Sequence, residues 1–280
     1  MPKKISLTLI TAAMFGSLPA MAAGGSTNAI LNVNNQVNLD YTNTKVDYTE
    51  TGGAYGSMGG TLDTESGNVG GYQIGLSSMR NWLFGNDYLY AEYNHSKGDT
   101  NYVGQSINNT VNTYGSITGT DGAELENYFA RYGKGFALGQ TMMVTPYFEL
   151  GHHSWTRSVN AGEVYANRWY GIGVLAQYAA SQQLVFSLNG MVGNNYGSNI
   201  DVAGTFAGSL QNSSITRIGG SLDYAMTSNW HANLGIEYTS FKYGYSGMYP
   251  VTINNTLYGA YEPSSTTNYT VAKIGIGYSF

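Results

Sequence analysis

The 280-residue chain has no cysteine, only five prolines and few charges, with Asp, Glu, Lys and Arg together making up 10%. The first absence excludes disulfides and thiolate metal sites. The scarcity of charge and proline separates the chain from disordered polyelectrolytes and from ordinary soluble domains. No stretch beyond the first residues approaches the apolar run of about 20 residues that a membrane-spanning helix needs. A formal net charge of -5 argues against a nucleic-acid partner, which would call for a basic footprint.

What the chain does contain is glycine (38), tyrosine (25) and 14% aromatic residues, set in a pattern of period two. At its end, Ile274, Ile276, Tyr278 and Phe280 alternate with Lys273, Gly275, Gly277 and Ser279. Neighbouring side chains of a strand point to opposite faces, so this segment has one apolar face and one polar or empty face. Ten such segments are read, at roughly 36–49, 69–83, 88–97, 124–138, 142–157, 165–180, 184–195, 213–226, 230–243 and 267–280. Tight, turn-forming joins fall near Gly85, Gly139, Ser181 and Ser228, and the joins between them are read as longer and polar.

At the other end, Lys3 and Lys4 precede a short apolar run and the small-residue site Ala20-Met21-Ala22. This has the three parts of a secretory signal, so residues 1–22 are expected to be removed and residues 23–280 to form one domain. The fold expected is all-β: a closed antiparallel transmembrane up-and-down β-barrel of about ten strands, with eight or twelve as the neighbouring possibilities. Short turns would lie at the periplasmic rim and long loops outside.

The terminal residues Lys273, Gly275, Tyr278 and Phe280 resemble the signal by which outer-membrane assembly machinery recognises its clients. By pattern, the chain resembles the small bacterial outer-membrane β-barrels of the OmpA-like and opacity type. That resemblance implies a cell outer membrane location. It also implies the barrel assembly machinery, outer-membrane lipid and lipopolysaccharide as partners, with a surface ligand left open and a monomer expected.

Assigning faces by apolarity puts Leu39, Ile74, Tyr128, Phe148, Ile172, Leu188, Ile218 and Ile236 among the lipid-facing residues. Leu184 joins them, and Trp82, Trp230 and Tyr88 are expected at the periplasmic girdle. The opposite face collects Asp40, Glu92, Arg131, Glu149, His153, Arg217, Asp223, Glu237 and Lys273, interleaved with glycines. Symmetric hairpins set Arg131 across from Glu149 and Arg217 across from Glu237, and Lys273 would meet Asp40 where the first and last strands close. A small barrel is just wide enough for its side chains to fill, so these pairs are expected to plug the lumen. Independently hydrated charges in a narrow pore are the alternative.

Two enzyme classes share features with this chain. Omptin proteases use acidic pairs and a His with a neighbouring Asp, but none of His95, His152, His153 and His231 has an Asp two positions earlier, and no Asp-Asp pair occurs. His152-x-Ser154 resembles the His-x-Ser core of the lipid A deacylases, with Glu163 as the orienting carboxylate. Trp155 stands where that family has Asn, and the motif lies far from the C-terminus. The plainer reading makes His152 and Trp155 girdle residues. No enzymatic activity, cofactor or metal site is expected. His152 and His153, being sequence neighbours, point to opposite faces and cannot share an ion within one strand.

Overall fold

Period-two alternation closes the chain on itself. In the structure, a computed structural model describing residues 25–57, 59–105, 111–253 and 255–280, ten long strands form one antiparallel barrel. The expected signal, residues 1–22, lies outside the described residues. The strands are β1 (Gln36–Gly52), β2 (Gly60–Arg80), β3 (Asp87–Gly104), β4 (Ile117–Lys134) and β5 (Met142–Arg157). They continue with β6 (Glu163–Ala179), β7 (Leu184–Val202), β8 (Ser214–Ala225), β9 (Trp230–Tyr243) and β10 (Ser264–Ser279). Each strand pairs with its sequence neighbours, and β10 pairs with β1 from Gln36↔Ser279 to Thr51↔Ser264, which satisfies the backbone all round.

The four tight joins fall where the sequence places them, with left-handed backbone at Gly85 and Gly139. At the other rim the strands run on into stretches read as loops. Residues 60–68 belong to β2 and residues 98–104 to β3, so the barrel is taller than a membrane requires. Further short strands decorate this end: Phe206–Ser209 extends the pairing of β7, and Tyr249–Ile253 with Thr256–Ala260 forms a separate hairpin. Among the described residues no helix is long and apolar enough to cross a membrane.

A short helix, α1 (Thr27–Val33), is absent from the sequence reading. Its Ile30 is fully buried among the barrel residues at the tight-turn end. The helix is held by side chains from around the rim. Asn34 and Gln177 exchange two amide hydrogen bonds (2.7 and 3.0 Å), while Ser279 donates to the Asn32 carbonyl and Ser77 to that of Val33.

Two faces follow from the alternation. In the half nearer the tight turns, Leu39, Ile74, Leu150, Ile172, Leu188, Ile236 and Ile274 point outward and are exposed, as on a lipid-facing wall. Leu184 keeps the outward phase of Phe186 and Leu188, opposite Tyr224, but is covered at the turn and not exposed as expected. Trp82 and Trp230 are half-exposed at the rim, and Trp230 packs edge-on to Tyr278 (5.2 Å). Tyr88 departs from its expected girdle place: it points into the barrel and stacks on Tyr90.

Candidate functional site

The inward face of the turn-side half carries the charges. Glu149 on β5 is fully buried between two guanidiniums, accepting from Arg131 Nε (2.6 Å) on β4 and Arg217 Nη1 (2.6 Å) on β8. Trp169 Nε1 donates to it as well (2.7 Å). The indole reaches that carboxylate by lying over Gly151, where any Cβ would collide with its ring. The glycines between the charges therefore make room for large groups spanning the lumen. Phe129 lies under both cations, its centroid 4.6 Å from Arg131 Cζ and 4.7 Å from Arg217 Cζ.

The expected pairs divide into three outcomes. Arg131 and Glu149 are direct cross-strand partners, as the symmetric hairpin requires. Arg217 and Glu237 do form an ion pair (3.1 Å), but diagonally, since the register sets Arg217 opposite Thr239 and Glu237 opposite Gly219. Lys273 and Asp40 do not bond directly. Lys273 lies 3.8 Å from Glu92 and donates to Gln73 (3.2 Å), whose amide in turn donates to Asp40 (3.2 Å), because Gly275 and not Lys273 stands opposite Asp40. Asp223 bonds His231 (2.5 Å) and accepts from Gln36, near the turn-side floor. Single-strand motif reading missed this Asp–His pair because its members sit on neighbouring strands.

Two small cavities flank the charged layer. The lower, of about 140 Å³, is lined by Asn34, Gln36, Asp40, Gln177, Asp223 and Lys273. The upper, of about 40 Å³, is lined by Asn127, Asn167 and His153 among others, and His153 bonds Asn127 (2.6 Å) and Tyr269 (3.1 Å).

Beyond the apolar band the interior changes character. Trp155, Tyr48, Tyr165 and Tyr243 are buried inside the barrel, so Trp155 is an interior residue and not a girdle one. These rings surround Arg157, whose guanidinium carbon lies 4.8 Å from the Tyr48 ring and 5.0 Å from that of Trp155. Acids gather about it: Glu65 at 2.7 Å, Glu163 at 3.1 Å, Asp63 at 3.7 Å and Asp121 at 3.8 Å. Burial pushes the carboxyls of Asp63, Glu65 and Glu262 up to about 6, 7 and 8, with Arg157 opposing the rise in each case. Glu262, bonded by Tyr165, belongs to the segments 244–253 and 255–263 that strap the outer mouth; Tyr55 holds this strap through the Ser246 carbonyl and Tyr261.

The deacylase-like group does not assemble. His152 and Ser154 share the outward face of β5, while Glu163 is buried inside and engaged by Arg157 and Asn160. Among the described residues no group of three or more His, Cys, Asp or Glu could hold a metal ion.

The molecule is thus a closed ten-stranded antiparallel barrel of the kind that crosses a membrane with strands, with charge pairs reaching across its lumen. No protein-family model matches the sequence, and no curated protein matches it. Among solved structures the chain is similar in fold to the outer membrane protease OmpT from Escherichia coli. The TM-score there is 0.54 at 12% identity, covering 88% of this chain and 97% of that one. It also matches Ail, the attachment invasion locus protein of Yersinia pestis (TM-score 0.30, 9% identity, 88% and 99% covered), and Neisserial surface protein A (0.29, 10%, 87% and 97%). The likeness to OmpT is one of fold alone.

Proposed function

We propose that this chain is an outer-membrane barrel with a structural or surface-interaction role and a lumen closed to solutes. The observation that carries this reading is Glu149, clamped across the lumen between Arg131, Arg217 and Trp169. Moving Glu149 or either arginine would break a charge pair in a low-dielectric interior, and moving Trp169 would remove a hydrogen bond from the buried carboxylate. The tall outer end, with its strap and hairpin, offers a rigid scaffold for contacts with surface ligands. Lys273, Gly275, Tyr278 and Phe280 serve as the assembly signal, and the barrel works as a monomer without cofactor or catalysis.

The likeness to OmpT invites a protease reading, but two facts weigh against it. The Asp223–His231 pair lies near the turn-side floor, and the acids of the outer end are gathered around Arg157. A narrow pore is the second reading, favoured by the polar cavities on both sides of the charged layer. Vesicle swelling in a small sugar separates the two: the scaffold reading expects reconstituted vesicles to swell no faster than protein-free ones. Faster swelling would favour the pore.

A further inference from the structure

The outer wall carries a feature that the lumen does not explain. Hydrogen-bonded rows climb across a tilted barrel wall, and one outward row runs Ile74, Tyr93, Tyr128, His152, Arg168 across β2 to β6. The row below it runs Leu76, Ala91, Ala130, Leu150. Two adjacent alanines between two leucines, roofed by two tyrosines, leave a trough in the apolar wall, and these residues line a groove of about 560 Å³. Its upper end holds His152, ring against ring with Tyr128 at 4.9 Å, and then Arg168.

Arg168 differs from the other outward cations near this level. Lys45 is paired with Asp47 and Lys97 with Glu124, each at 2.7 Å. Arg168 is exposed and makes no ion pair or side-chain hydrogen bond among the described residues. Glu126, one row higher, is already engaged by the Tyr93 hydroxyl (2.9 Å). An unpaired guanidinium where the apolar band ends, directly above an apolar trough, matches one ligand chemistry: an acyl chain joined to a phosphate.

We infer that this groove binds one molecule of lipid A, an acyl chain lying over Ala91 and Ala130 and a phosphate held by Arg168 with His152 beside it. Lipid A is the occupant because the row opens at the end of the barrel opposite the tight turns, where the outer leaflet lies. The inference rests on the outer-membrane reading above, but its test does not depend on conductance or on cell fractionation.

The test uses the full folded barrel in neutral detergent, titrated with bisphosphorylated lipid A and followed by native mass spectrometry. Folding of each variant is checked by heat-modifiable gel mobility. The expected result is one bound lipid A, weakened about tenfold by Arg168→Gln, as loss of a charge-assisted contact gives. Ala130→Leu, which fills the trough without touching charge, should weaken binding as well, and Lys242→Gln, an outward cation elsewhere on the wall, should leave it unchanged. Dephosphorylated lipid A should lose the difference between wild type and Arg168→Gln. Undiminished binding in both groove variants would overturn the site. Equal binding of phosphatidylglycerol would overturn the choice of lipid A.

Discussion

The two halves of this barrel are built with opposite polarity. In the turn-side half the outward face is Leu39, Ile172, Ile236 and their like, while the inward face is Glu149, Arg131, Arg217 and Asp40. In the outer half the inward face is Val46, Tyr48, Trp155, Tyr165 and Tyr243 packed around the Arg157 cluster, and the outward face carries Lys45, Asp47, Lys97, Glu124 and Lys242. One continuous strand crosses both regimes: on β1 the apolar side passes from Leu39 and Tyr41 outside to Val46 and Tyr48 inside within a few residues. The physical lesson concerns solvent. Where lipid surrounds the wall, apolar groups face out and polar groups must pair inside; where water surrounds it, the barrel needs an interior core like that of a soluble domain.

The turn-side half is most vulnerable at its charged centre. Glu149→Leu leaves Arg131 without its anion and Arg217 with Glu237 alone, and should destabilise the barrel by about 3 to 5 kcal/mol, read from urea unfolding in lipid vesicles. Arg131→Ala with Glu149→Ala should cost less than the two singly, with a coupling of about 0.5 to 3 kcal/mol. Additivity would mean that the crossing pair contributes nothing specific.

A matched pair of surface changes tests the polarity switch itself. Ile172→Lys puts a cation on the apolar band and should cost about 2 to 4 kcal/mol. Thr49→Lys, outward on the outer half of β1, should stay within about 0.5 kcal/mol of wild type. Equal effects would erase the boundary between the halves.

The third effect is smaller and depends on pH. Asp63, Glu65 and Glu262 have folded-state values raised to about 6, 7 and 8 by burial, above those of an unfolded chain. Groups raised in this way add stability that is fully present below the unfolded value and is lost as pH rises through the folded one. Hydrogen exchange in the strap, residues 244–253 and 255–263, should therefore quicken as pH is raised across that window, beyond the intrinsic base catalysis seen in the turn-side strands. A strap better protected at alkaline pH would reverse the assignment. Smallest in stability is removal of Phe280, whose exposed ring contributes less than the roughly 1.5 to 3 kcal/mol of a fully buried one. Its loss should show in assembly yield in cells, with refolding in detergent unchanged.

Much of this was legible beforehand. Period two located all ten strands, and the hairpin centred near Gln140 placed Arg131 opposite Glu149 because cross-strand distance follows directly from turn position. The Arg217–Glu237 register slipped by two residues because the turn after Ala225 is centred one position later than its sequence suggests. The Lys273–Asp40 contact failed because seam register between the first and last strands has no short turn to fix it. Helix α1 was missed because seven residues give too little periodicity to read, and its position depends on Gln177 and Ser279 from distant strands. The ring of acids about Arg157, itself at the end of β5, draws on β2, β4 and β6, so no linear motif announces it. The change of apolar parity along β1, β5, β6 and β9 was present in the sequence and would have revealed the taller barrel.

The Arg131–Glu149–Arg217 layer is the proposed seal of the lumen, and single-channel recording in planar lipid bilayers reads that seal. The wild-type barrel should show no steady conductance, and steps should appear when Glu149 and Trp169 are both replaced by alanine. Large, stable steps from the wild-type protein would mean that the layer does not close the barrel.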